Sequence, residues 1–231
     1  MDVIFNRSFQ RVILYNLEKM HPEAKKGFFE ITRNFPFEDI YILGGFVRDS
    51  ILKFVYNYNF PINDLDILVD DPKFNSFSES FQKDNISRLG GLKFNYPSFS
   101  IDVFGMDNIF FFKNNSKLDK NLENVLIGCD ISTSCFAYNL ASKNIYSVGA
   151  MEDILKREIN INNHLYMEVA PTISRLILHA DKMGFNIGES GVNYIKDNYS
   201  SEVDKKILEF LKYKNIERLF PLIKSNINKI I

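Results

Sequence analysis

Hydrophobic positions along the 231-residue chain alternate between helical and strand-like spacing. Over residues 7–33 the spacing is helical: Phe9, Ile13, Leu14, Leu17 and Met20 fall near one face. His21–Pro22 interrupts that face, and Pro22 is suited to open a second helical segment. A short apolar run, "DIYILG", predicts a strand. It drives into "GGFVRD" and a helical pattern carrying Val47, Ile51, Leu52 and Val55. "NFPIN" reads as a loop, and "DLDILVD" as a short alternating strand. "DPKFNSFSESFQKDN" predicts a loop and a modest helix, "GGLKFNYP" and "FSIDVFGM" two strands, and "NIFFFKNNSKL" stays ambiguous. "TSCFAYNL" and "IYSV" flank a turn at "ASKN". "AMEDILKREINI" is helical at its start, and "APTISRLILHADKMGF" is a stronger helix. The tail reads as two short helices, one in "NYIKDNY" and one from "SSEVDKK" onward.

This order of elements predicts an α/β or α+β fold with a small mixed sheet flanked by helices. No internal repeat is visible, and the boundary that composition supports lies near 188–200. Three parts follow: an N-terminal helical segment over 1–35, a main domain over 36–188 and a C-terminal helical appendage over 189–231.

Composition adds constraints. With 45% hydrophobic residues, including 22 Phe and 11 Tyr, a sizeable core is available. The 28 basic and 29 acidic residues nearly cancel, so long-range steering toward nucleic acid is not expected from net charge. Cys129 and Cys135 lack the spacing of a zinc or disulfide framework and read as small buried thiols. No apolar run approaches the ~18 residues of a membrane span, and the start lacks a signal-peptide pattern. A soluble cytoplasmic protein without a membrane partner is the expectation.

Candidate chemistry begins at Gly44–Gly45. A glycine turn between strand and helix exposes backbone N–H groups at the positive end of a helix, which suits phosphate. Arg48, one turn in, adds a cation. Dinucleotide and Walker A spacings are both missing, and a tight packing turn is the plain alternative. Asp64 and Asp66 strengthen the functional reading. Separated by Leu65, they share one strand face, where two like charges repel unless water or a cation intervenes. Hard carboxylate oxygens match Mg²⁺. Asp102, within "FSIDVFG", supplies a third acid from another strand; Asp107 is the other candidate. Asp70–Asp71 reads as a solvated turn before Pro72. A phosphate turn with two or three acids indicates phosphoryl or nucleotidyl transfer.

The combination of "GGFVRDSIL" (44–52) with "DLD" (64–66) resembles the head domain of the tRNA nucleotidyltransferase and bacterial poly(A) polymerase family, within the DNA polymerase beta-like nucleotidyltransferases. The resemblance covers about residues 40–187. It implies a template-independent nucleotidyltransferase that transfers NMP from an NTP to an acceptor hydroxyl and releases pyrophosphate. The acceptor it implies is an RNA 3′ end. By that resemblance Gly44 and Gly45 shape the triphosphate turn, Arg48 and Asp49 brace or contact the nucleotide site, and Asp64, Asp66 and Asp102 are catalytic and bind Mg²⁺ in a two-metal site. Downstream, "GCDISTS" (128–134) stands for the family's Arg-Arg-Asp-Phe-Thr-Ile-Asn, keeping Asp130 and a hydroxyl at Ser132. Gly149 and Asp153 are partial matches to a later glycine- and aspartate-containing segment. In "TISRLILHADKMGF" only Arg175 remains of three spaced arginines, with Thr172 and Leu178 at the others. Asp130 and Arg175 are therefore the candidate base-site residues. Two other readings stay open: transfer to a protein or small-molecule hydroxyl, and a non-catalytic nucleotide- or RNA-binding module. His179 reads as a packing or surface residue. The basic amphipathic tail reads as a docked helix with a solvated lysine face, with contact to an RNA backbone as the alternative.

Overall fold

The computed structural model describes residues 1–81, 91–113, 117–162 and 168–231. Residues 82–85 of the predicted loop-and-helix segment, Gly90 of "GGLK" and residues 114–116 of the ambiguous stretch lie outside these. Contacts divide the chain into two compact units, Met1–Ile127 with Ser134–Val148, and Gly128–Thr133 with Gly149–Ile231. The division runs through the 36–188 span. It groups the first helices with the sheet, and α-helical residues 189–231 with the segment from Gly149 onward.

The first unit carries a mixed seven-stranded sheet: β1 (Asp2–Ile4), β2 (Ile40–Leu43), β3 (Asp64–Val69), β4 (Leu92–Tyr96), β5 (Phe99–Gly105), β6 (Phe136–Asn139) and β7 (Ile145–Ser147). Its order is β1-β7-β6-β2-β3-β5-β4. Only β3 and β5 are parallel neighbours; the other adjacent pairs are antiparallel. Helices α1 (Arg7–Glu18), α2 (Pro22–Thr32) and α3 (Gly44–Tyr56) belong to this unit. Asn6 caps α1 by accepting from the N–H groups of Ser8 and Phe9, and Pro22 occupies the first turn of α2. Shorter helices α4 (Lys73–Glu79), α5 (Phe110–Lys113) and α6 (Leu122–Ile127) complete it.

Alternation sorts the sheet's two faces. Leu65, Ile67, Ile101 and Val103 are all at 1% exposure or less and pair in register across β3 and β5. Asp64, Asp66, Ser100 and Asp102 take the opposite face. Leu68 shares that second face, yet it lies deeper along the strand and is fully buried, which is why the alternation of β3 looks blurred in the sequence.

The second unit contains α7 (Ala150–Lys156), the two-stranded parallel pair β8 (Glu158–Ile159) and β9 (Asn186–Ile187), α8 (Val169–Met183), α9 (Glu189–Asn198), α10 (Ser201–Tyr213) and α11 (Phe220–Ile230). Ile173, Leu176, Ile195, Ile207, Ile223 and Ile227 form its apolar centre. The tail thus has three helices where the sequence pattern predicts two. The long segment breaks at Asn215, whose φ is +55°, and restarts at Pro221 in the first turn of α11. Neither cysteine forms a disulfide. Among the described residues no helix is long and apolar enough to cross a membrane.

Candidate active site

β2 ends at Leu43, paired opposite Asp66, and α3 begins at the next residue. The glycines that read as a turn in the sequence are therefore the first two residues of the helix. Gly44 holds φ at +59°, a conformation that costs a residue with a side chain. A Cβ built there would stand 3.9 Å from Asp66 Oδ2 and 3.7 Å from the Ser134 carbonyl oxygen. No side chain caps this end of the helix. A 13-residue helix thus presents first-turn N–H groups beside a carboxylate.

Arg48 and Asp49 are buried together, and Arg48 Nε donates to Asp49 Oδ1 at 2.6 Å. The Arg48 guanidinium also lies under Gly45, 3.5 Å from where its Cβ would be. A paired, buried arginine at this position braces the helix start and is no exposed cation.

Asp66 and Asp102 are direct partners in the parallel register of β3 and β5, with Asp64 opposite Ser100. Adjacent strands lie only ~4.8 Å apart, so the carboxylates crowd. Burial, then Asp64, then Asp102 push the Asp66 carboxyl up to about 7, against the opposing pull of Lys93. Lys93 comes from β4, where it pairs with Asp102, and its Nζ donates to Asp102 Oδ2 at 3.0 Å. Asp102 Oδ1 is buried and has no hydrogen-bond partner among the described residues. Sequence reasoning missed Lys93. The signal was available in the hairpin: with Tyr96 opposite Phe99 across the Pro97–Ser98 turn, residue 93 must face residue 102.

Asp107 follows the far end of β5 and is exposed, paired with Lys120 at 2.7 Å. Of the two candidates for a third acid, the fold brings Asp102 beside Asp66. Asp71 accepts from the Lys73 N–H in the turn before α4, as a solvated turn residue does.

Asp130 and Arg175 lie in the second unit. Asp130 is buried, accepts from its neighbour's Ile131 N–H at 3.0 Å, and is ion-paired with Arg175, which is partly exposed. Burial raises the Asp130 carboxyl, and Arg175 and that N–H oppose the rise. Thr172 and Ser132 are both buried. Ser132 and Asp153 are hydrogen-bonded, and Asn160 ties into both through its backbone N–H and its side chain. Asp153 is thus part of a polar brace between α7 and the strand region.

Among the described residues no three carboxylate, thiolate or imidazole groups form a ready-made metal cage. Mg²⁺ does not require one: it keeps several waters and takes one or two carboxylates plus substrate phosphates. The crowded, hard oxygen donors of Asp64 and Asp66, and the orphaned Asp102 Oδ1, fit that mode.

No family model matches the chain, and no curated protein matches it in sequence. Solved structures are similar in fold. A tRNA-processing enzyme in an apo form superposes with TM-score 0.61 at 16% identity, over 92% of this chain and 57% of that one. A tRNA nucleotidyltransferase, solved with a primer tRNA and an incoming ATP analogue, gives 0.59 at 16%, over 83% and 57%. The Thermotoga maritima CCA-adding enzyme, solved with tRNA, gives 0.56 at 19%, over 94% and 55%. The chain spans somewhat more than half the length of these structures. The chain shares the fold of these structures over the matched residues, and its mixed sheet flanked by helices is the α/β layout that the sequence pattern predicts.

Proposed function

We propose that the protein is a metal-dependent nucleotidyltransferase that adds NMP from an NTP to the 3′ hydroxyl of an RNA. The observation that carries this reading is the register of Asp66 against Asp102, with the open N-terminus of α3 beside Asp66. RNA as acceptor is supported by the fold likeness to enzymes solved with tRNA.

In this reading the first-turn N–H groups of α3, at Gly44 and Gly45, receive the triphosphate. Arg48 and Asp49 hold that turn in place from beneath. Asp64 and Asp66 hold Mg²⁺, with Asp102 as the third acid of the site. When bound, the metal neutralises triphosphate charge and acidifies the acceptor hydroxyl. The hydroxyl oxygen attacks the α-phosphorus, the bond to the β-phosphate oxygen breaks, and pyrophosphate leaves. Asp102 Oδ1 accepts the hydroxyl proton, while Lys93, bonded to Oδ2, holds the carboxylate in place.

Pyrophosphate release tests the reaction class. Each NTP is incubated with a small-RNA pool across a Mg²⁺ titration. Release should require both RNA and the metal and fall at least ~100-fold in Asp66→Asn. Equal release without the metal contradicts the mechanism.

A further inference from the structure

A cavity of about 160 Å³ opens in the first unit between α1, α3, the 57–63 loop and the start of β5. Phe99, on its wall, points to the sheet face opposite Asp66 and Asp102, so this cavity is separate from the carboxylate site. Three features define what it would hold.

The wall is aromatic: Phe60 and Phe99 both line it, and Phe60 continues an edge-to-face contact with Tyr58. Its polar edge is built, with Asn16 at 8% and Asp49 at 7% exposure. Asn16 Nδ2 donates to Ser50 Oγ at 2.8 Å, and Asp49 accepts from Arg48, so both side chains are fixed before any ligand arrives. Its cationic edge is Lys19 and Lys53. Their ammonium groups sit 5.5 and 5.4 Å from the centroid of one ring, Tyr15. Neither is ion-paired with a carboxylate among the described residues. Both lysines line the cavity, so two cations share one edge of it, and a ligand anion at that edge is attracted by both.

The volume is below the ~300 Å³ at which pockets for whole drug-sized ligands begin. It admits one planar ring, which leaves the charged part of a ligand outside with the lysines. A simple aryl acid has faces for the aromatic wall but no edge donor for Asp49. A nucleobase has both. We propose that this cavity is a second nucleotide-unit site: the base enters beside Phe60 and Phe99, its edge meets Asn16 and Asp49, and its phosphate lies at the edge lined by Lys19 and Lys53. The unit is either a free nucleotide or one residue of a single strand.

Calorimetry with the full chain in chelator separates this site from the carboxylate site. The probes are AMP, CMP, GMP, UMP, ribose 5-phosphate and a 5′-phosphorylated single-stranded RNA tetranucleotide. At least one mononucleotide should bind, within twofold as tightly in Asp66→Asn, and at least tenfold more weakly in Lys19→Ala/Lys53→Ala. Lys19 is exposed and Lys53 half-buried, and an unchanged melting temperature checks that the double variant folds. If the tetranucleotide is the ligand, the double variant should also lower its salt slope by roughly 0.7 per lost contact. Equal affinity of mononucleotide and tetranucleotide assigns a free nucleotide; tenfold tighter tetranucleotide binding assigns a strand. The proposal is overturned if no nucleotide binds at millimolar concentration, if the double variant binds undiminished, or if ribose 5-phosphate binds as tightly as the nucleotides. None of these results bears on transfer at Asp64 and Asp66, which is measured separately.

Discussion

Asp66 and Asp102 stand directly opposite each other on the two parallel strands of an otherwise antiparallel sheet. That pairing sets the Asp66 carboxyl against a second acid, with Lys93 engaged on Asp102 Oδ2. In chelator the Asp66 carboxyl lies near 7, above its ordinary 3.8. The raised value means that its contribution to stability is fully present below the ordinary value and is lost as pH rises through about 7. Chelated protein should therefore melt lower at about pH 8 than at about pH 5. Asp66→Asn should reduce that difference while abolishing transfer. Thermal melts of the two proteins at both pH values check it; an unchanged difference contradicts the electrostatic account.

Gly44 and Gly45 make a matched pair of tests. Alanine at 44 must adopt φ +59°, at a cost of about 1–2 kcal/mol, although its Cβ would meet Asp66 Oδ2 and the Ser134 carbonyl oxygen only at ordinary contact distance. Alanine at 45 meets only the Arg48 guanidinium, at an ordinary 3.5 Å. Urea denaturation should show Gly44→Ala destabilised and Gly45→Ala within ~0.5 kcal/mol of the parent. A loss of NTP affinity in Gly45→Ala then reports on the triphosphate contact and not on folding.

How much of this was legible in the chain depends on whether the deciding interaction is local. The alternation of "DLD" put Asp64 and Asp66 on one face, and the structure agrees, because period-2 geometry is a property of the strand alone. Likewise Pro22 opens α2 where its missing N–H is harmless. The tail was misread because a continuous amphipathic pattern hides a break set by one left-handed residue, Asn215, and by Pro221. β1 was missed because three residues carry too little pattern; it exists through pairing with β7, more than 140 positions away. The choice of Asp102 over Asp107 needed the strand order, which no local spacing encodes.

Asp130 and Arg175 should behave as a coupled pair. Arg175→Ala leaves a buried carboxylate without its counter-charge. Because the arginine is partly exposed, the expected cost is about 1–2 kcal/mol, below that of a fully buried pair. Asp130→Asn added to Arg175→Ala should recover most of it. A double-mutant cycle by urea denaturation measures the coupling; additive losses contradict it.

Tyr138 on β6 is fully buried, and its hydroxyl has no hydrogen-bond partner among the described residues. Tyr138→Phe should be neutral or stabilising by up to about 1 kcal/mol. Burial pushes the phenol up to about 12 from an ordinary 10. The parent should therefore lose further stability relative to the variant as pH rises from 10 toward 12. Alkaline melts of both proteins check the sign.

Incorporation of label from each α-labelled NTP into a small-RNA pool, with Mg²⁺, tests the central claim most directly. The account predicts label on RNA that nuclease releases and protease does not. Blocking the RNA 3′ hydroxyl should prevent it, and so should Asp64→Asn or Asp66→Asn. Label that resists nuclease, or that persists undiminished in both aspartate variants, contradicts the account.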